Sequence, residues 1–174
     1  MEITNPKRII CDNNLLACSR AHFDKVIDTH KHLHGIDFNQ GLDARLLTDY
    51  HVDRIRELDL ECVRFAWDSM ASEEPVHDAI FRCLNAGIPK NKVRCYVLVG
   101  FDDDPMDARC RCETLKEAGV WANVQRYQPL NSVVKDSYVG EHWTERELVR
   151  FCRYWNKQAW LGGIDYEDYS PQSG

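Results

Sequence analysis

Five short apolar runs, each closed by a polar or acidic cluster and each followed by a helix-like stretch, constrain this chain more than any other feature. The runs are Arg8–Cys11, Ile36–Phe38, Cys62–Ala66, Val93–Val99 and Trp121–Val124. Short apolar runs alternating with amphipathic helical segments read as β-α units, and such units build a parallel sheet with right-handed crossovers. In parallel α/β sheets and barrels, ligands sit at the carboxyl ends of the strands. The closing clusters are therefore candidate site residues. They are Asp12-Asn13-Asn14, Asn39-Gln40-Gly41-Leu42-Asp43, Asp68-Ser69, Gly100-Phe101-Asp102-Asp103-Asp104 and Gln125-Arg126-Tyr127.

The helices carry their own punctuation. The first runs from about Ser19 to Leu33, with Phe23, Val26, Ile27, His30 and Leu33 on one face and Gly35 as its stop. A second begins near Thr48, a suitable N-cap, and turns Val52, Ile55 and Leu58 inward. A third starts after Ser72 with Pro75 in its first turn, buries Val76, Ile80 and Leu84, and stops at Gly87. Asp104 caps a fourth, which has Pro105 at its first position and Gly119 as its end. Thr144 and Glu147 form a capping box for a fifth, expected to continue through Trp155 and Ala159 to Gly162. Residues 1–165 read as one domain. Residues 166–174 read as a flexible C-terminal tail. The segment Asn131–His142 is the longest irregular piece, either a lid or a surface loop.

Composition removes several classes. With 174 residues the chain is long enough for a real core. A net charge of −6 argues against broad nucleic-acid binding. No apolar stretch approaches the roughly 20 residues that span a bilayer, and the amino terminus lacks a signal-peptide core. A cytoplasmic location is the expectation. The eight cysteines have neither disulfide-framework nor zinc spacing, so they read as small apolar residues. His30, His32 and His34 read as imidazoles near a helix end rather than as a metal clamp. Asp104 should cap its helix while Asp102 and Asp103 face water. Arg109 and Arg111 should lie on a solvated helix face. Trp67 and Tyr96 read as packing residues, and Trp143, Trp155 and Trp160 as cover for the last helix.

Taken in order, the clusters resemble the radical S-adenosylmethionine superfamily over roughly residues 7–130. Ile9-Ile10-Cys11-Asp12-Asn13-Asn14-Leu15 is similar to the family's second strand, whose end binds the methionyl amino group, a role that would fall to Asp12 and Asn13. The Gly35–Thr48 segment resembles the third strand and its loop, and supplies Asn39, Gln40, Asp43 and Arg45. Val63–Ser69 sits where relatives carry a Gly-Ile-Glu-Ser strand end, so that Asp68 and Ser69 would approach the ribose or carboxylate. Tyr96–Asp103 matches the family's GxIxGxxE pattern, with Gly100 kept, Asp103 in place of Glu and Tyr96 in place of the first Gly. Ala122–Leu130, with Gln125 and Tyr127, looks like the adenine-holding sixth strand. The implied fold is α/β: an incomplete (β/α)6 TIM-like partial barrel of about five parallel strands with outer helices.

The residue chemistry points the same way without the family. A zwitterionic amino-acid ligand needs an acceptor for its ammonium, from Asp12 or Asp68, and a donor for its carboxylate, from Arg45, Arg64 or Arg126. Asn39, Gln40 or Ser69 would bond a ribose, and Gly100 would admit a flat ring. The resemblance implies S-adenosylmethionine as cofactor and its reductive cleavage to a 5′-deoxyadenosyl radical. It also implies a [4Fe–4S] cluster held by CxxxCxxC thiolates, a motif that does not occur in this sequence. The expectation is a part of a radical S-adenosylmethionine enzyme that carries most of the cofactor wall, with another chain or an upstream segment supplying the first β/α unit and the cluster. A non-catalytic, degenerate barrel acting in binding or regulation, and an unrelated α/β enzyme, are the alternatives.

Overall fold

The computed structural model describes residues 6–12 and 14–171. Five strands form one parallel sheet: β1 (Ile9–Ile10), β2 (Ile36–Phe38), β3 (Leu60–Ala66), β4 (Val93–Val99) and β5 (Trp121–Arg126). Their spatial order is the order of the chain. The main helices are α1 (Arg20–His30), α2 (Asp49–Ile55), α3 (Glu73–Asn85), α4 (Pro105–Ala118) and α5 (Glu145–Asn156). Right-handed crossovers between sequential neighbours put the helices on one side of such a sheet. The burial pattern agrees. On β4, Val93, Cys95, Val97 and Val99 are buried, while Arg94, Tyr96 and Leu98 between them are only partly covered. No helix among the described residues is long and apolar enough to cross a membrane.

The caps explain where the helices begin. Ser19 accepts a hydrogen bond from the His22 amide, and Asp104 accepts from Met106 and Asp107 at 2.8 and 2.9 Å. Thr144 and Glu147 form the expected reciprocal box. Thr48 forms a box with His51 in the glutamate position. Gly119 closes α4 with φ +74°, a left-handed position where glycine pays no Cβ penalty.

Several expectations need correction. The first strand shrinks to two residues, because the chain turns away at Asp12, whose Oδ1 accepts the Asn14 amide at 3.0 Å. Helix α5 stops at Asn156, six residues before Gly162, since Gln158 takes a left-handed φ of 52° and the chain continues as a 3-10 turn. Residues 166–171 are docked, not frayed. Arg150 donates to the carbonyls of Tyr166, Glu167 and Tyr169, and the Tyr166 and Tyr169 rings pack against Tyr154. Residues 172–174 lie outside the described part.

The two sheet edges differ. At β5, the Asn156 side-chain amide donates to the Val124 carbonyl and accepts from the Val124 amide, both at 2.8 Å, so it imitates a neighbouring strand. At β1, among the described residues, only β2 is a neighbour, and Ile9 is 49% exposed.

Candidate functional site

Strand β2 sets the geometry of the mouth. After Phe38 the chain leaves the ladder at Asn39-Gln40 and turns at Gly41, whose φ is +82°. It rejoins β3 where the Leu42 amide bonds the Arg64 carbonyl at 2.7 Å. The Tyr96 hydroxyl reaches across β3 and donates to the Asn39 carbonyl at 2.9 Å, fixing the bulge. Beneath it Arg64 and Asp37 form a two-pronged ion pair at 2.8 and 2.7 Å. The Arg64 side chain is only 10% exposed, so the pair is buried in the sheet and Arg64 is out of reach of a ligand, unlike Arg45, whose side chain is 72% exposed.

The bulge and the end of β3 enclose a cavity of about 330 Å³, within the size range of small-molecule sites. Gln40, Asp43 and Arg45 form one wall, Asp68 and Ala66 the second, and Asn14 the approach from β1. The first turn of α3, through Pro75 and Val76, supplies the apolar back. Asp43 grips Arg45 through Nε and Nη2 at 2.8 and 2.7 Å. The Arg45 guanidinium, with the Arg45 amide, holds the Asp43 carboxyl below the usual carboxylate range. Asn14 reaches the other side of Asp43 through Nδ2 at 3.5 Å, while its buried Oδ1 has no partner. Asp68 is open to solvent on its outer side. The wall behind it nonetheless desolvates the carboxyl and raises its pKa, an effect the more distant Arg111 charge partly offsets.

Four of the expected residues, Gln40, Asp43, Arg45 and Asp68, thus meet in one place. The others do not line this cavity. Asp12 is spent on its own turn. Asn39 contributes its carbonyl to the Tyr96 bond. Ser69 is exposed beside the cavity. Asn13 lies outside the described residues. At the end of β4, a Cβ on Gly100 would come within 2.8 Å of the Leu148 side chain, so the space that suggested a flat ligand belongs to α5. Tyr127 packs on Phe101 and Tyr138, with ring centroids 4.3 and 5.0 Å away. Gln125 faces a separate hollow between β5 and α5. Arg126 is engaged by Glu145 and the Tyr138 carbonyl, which anchors the Asn131–His142 segment on the β5 side; no residue of that segment lines the cavity at Asp68.

Asp103 and Arg111 overturn two expectations together. Asp103 is 8% exposed and Arg111 fully buried, so neither faces water. Asp103 Oδ1 accepts from the Gly100 amide at 2.8 Å and from the Trp143 indole at 3.1 Å, and Oδ2 is bound by Arg111 Nη2. The phase of Ala108, Arg111, Cys112 and Leu115 along α4 is the signal that marks the buried face, and Arg111 lies within it. Asn14 was legible too, as the third member of the first cluster; it enters the cavity because Asp12 makes the turn.

Burial pushes Cys62 and Cys83 up to about 12 and Cys152 to about 11, so these three thiols are protonated. No three His, Cys, Asp or Glu side chains among the described residues gather to hold a metal. His30 is buried against the Val26 carbonyl, and His34 pairs with Asp59 at 2.9 Å.

No protein-family model, curated protein or solved structure matches the chain.

Proposed function

We propose that this chain is the S-adenosylmethionine-binding wall of a radical S-adenosylmethionine enzyme, built as a partial TIM-like barrel. The observation that carries the reading is the convergence of Asn14, Gln40, Asp43, Arg45 and Asp68 on one cavity at the carboxyl ends of sequentially ordered parallel strands. Charge supports it. Two carboxylates and one guanidinium leave the cavity with a net negative balance, and the cofactor, with an ammonium, a sulfonium and a carboxylate, has a net positive one. Asp68, which makes no side-chain hydrogen bond among the described residues, accepts from the ammonium. Arg45 receives the carboxylate. The unpartnered Asn14 Oδ1 and the Gln40 amide serve the ribose hydroxyls.

When bound and reduced by a cluster, this cofactor supplies a radical able to abstract hydrogen. The sequence has no CxxxCxxC motif, and in this reading the cluster ligands come from another polypeptide segment. The β1 edge, which no strand pairs among the described residues and where Ile9 is half exposed, is the place where a further parallel strand would pair.

The test is anaerobic co-production with the segment encoded upstream, followed by product analysis. The expected result is a brown, air-sensitive complex that releases 5′-deoxyadenosine from S-adenosylmethionine. A colourless chain that neither recruits that segment nor binds S-adenosylmethionine would overturn the proposal.

A further inference from the structure

Arg111 stands where the sheet opens. Its Nη1 donates to the Trp67 carbonyl at 2.8 Å and to the Leu98 carbonyl at 2.9 Å. The Trp67 amide makes the last rung between β3 and the Tyr96 carbonyl of β4, at 2.8 Å. Past that rung the strands lose each other, and Arg111 bridges them from the helix side. The Trp67 carbonyl belongs to the peptide unit whose nitrogen is that of Asp68. A buried guanidinium is therefore bonded to the same peptide plane from which the Asp68 side chain departs.

The cation is itself held. Asp103 takes Nη2 on one oxygen, and its other oxygen is fixed by the Gly100 amide and the Trp143 indole. Nε adds a long contact to the Asp107 carbonyl at 3.4 Å. Buried ion pairs contribute little net stability, because desolvation offsets their attraction. A fully buried guanidinium with carbonyl acceptors on two strand ends is better explained by what it orients. We propose that Arg111, locked by Asp103, is the positioning residue of the cavity: it fixes the end of β3 and sets the electrostatic environment of the Asp68 carboxylate.

The inference rests on the reading of this cavity as a binding site, but its test needs no ligand. The charged and titratable groups around Asp68 are Asp43 and Arg45 across the cavity, Cys95 on β4, and Arg111 behind it. The measurement is the titration of Asp68, followed by NMR of its carboxyl carbon. Replacing the pair with Arg111→Met and Asp103→Asn removes the positive charge without stranding a carboxylate. Asp68 should then bind its proton more tightly, by about threefold or more. Asp103→Asn alone leaves Arg111 without its counter-ion, so Asp68 becomes the nearer partner and should bind its proton about threefold more weakly. A merely structural pair would not move one titration in opposite directions. Shifts of the same sign, or none in either folded variant, overturn the proposal. Should both variants unfold, the unaltered chain decides: the Arg111 guanidinium nitrogen signals must respond at the Asp68 midpoint, and signals indifferent to it refute the coupling. Because S-adenosylmethionine plays no part in the titration, failure here leaves the cofactor reading intact.

Discussion

The carboxyl ends of β3 and β4 look alike in sequence, each an apolar run followed by acidic residues, yet they have opposite fates. At β4, Asp103 is consumed by Arg111, Gly100 and Trp143, and the space beside Gly100 by Leu148. At β3, Asp68 has no hydrogen-bonded partner among the described residues and looks into the cavity shared with Gln40, Asp43 and Arg45. The difference arises from what lies behind each end. Helix α4 delivers a cation in phase with its buried face, and the Trp143 indole follows from the approach to α5. The start of α3 presents Pro75, Val76 and the uncharged N-cap Ser72 to the cavity, and no cation. An acidic strand end is thus structural where a neighbouring helix neutralises it, and available to a ligand where the helix offers no cation.

The largest effect should separate the two aspartates. Asp103→Ala leaves a buried guanidinium without its anion and should cost about 3–5 kcal/mol in urea unfolding. Asp68→Ala removes a desolvated, unpaired carboxylate and should stay within about 0.5 kcal/mol of the parent. Equal costs at the two sites would break the comparison.

The glycines give a smaller version of the same contrast. Gly100→Ala meets Leu148 at 2.8 Å in addition to its left-handed φ, and should cost about 2–4 kcal/mol. Gly41 has the same φ of +82°, but a Cβ there makes only ordinary contacts at 3.7 Å, so Gly41→Ala should cost about 1–2 kcal/mol. Thermal unfolding of the two variants side by side measures the difference.

Ligand affinity sharpens the comparison further. Asp68→Asn and Arg45→Gln should each weaken S-adenosylmethionine binding by about tenfold, the loss of one charge-assisted hydrogen bond. Tyr127→Phe, on the other side of the mouth, should leave it unchanged. Titration calorimetry distinguishes these outcomes.

The smallest effect is in the pH dependence of stability. Arg64 lowers the folded pKa of Asp37, so the pair's contribution is present above the unfolded value of about 3.9 and is lost as pH falls through the folded value. Burial raises the folded pKa of Asp68, so the folded state binds the extra proton, and stability falls as pH climbs from about 3.9 through that value. Asp37→Asn should flatten the acid limb of the stability curve, and Asp68→Asn should remove the decline above it. Denaturation series from pH 2 to 7 read both slopes.

Much of the fold was legible because its signals are local. The alternating burial of β4, the Asp104 cap with Pro105 behind it, the Thr144–Glu147 box and Gly119 at the end of α4 all depend on neighbours in the chain. The unreadable features depend on residues far apart. The Gln158 break in α5 follows the clasp of Asn156 on Val124, and the docking of residues 166–171 depends on Arg150 and Tyr154. For the cavity, the Gly35–Thr48 segment stood out because a polar-and-charged strand end has few structural uses. Gly100 misled because the sequence does not display that α5 will bring Leu148 to it; Asp103 misled because the phase of α4 marks Arg111 as buried but does not name the anion it meets.

The most direct measurement is a titration of the isotope-labelled chain with S-adenosylmethionine, followed through its backbone amide signals. Saturable shifts gathered at Asn14, Gln40–Arg45 and Asp68, with Gly100–Asp103 and Tyr127 unmoved, are the expected result. Shifts centred on Gly100 and Tyr127, or none at saturating cofactor, would contradict the assignment of the site to the β2–β3 side of the mouth.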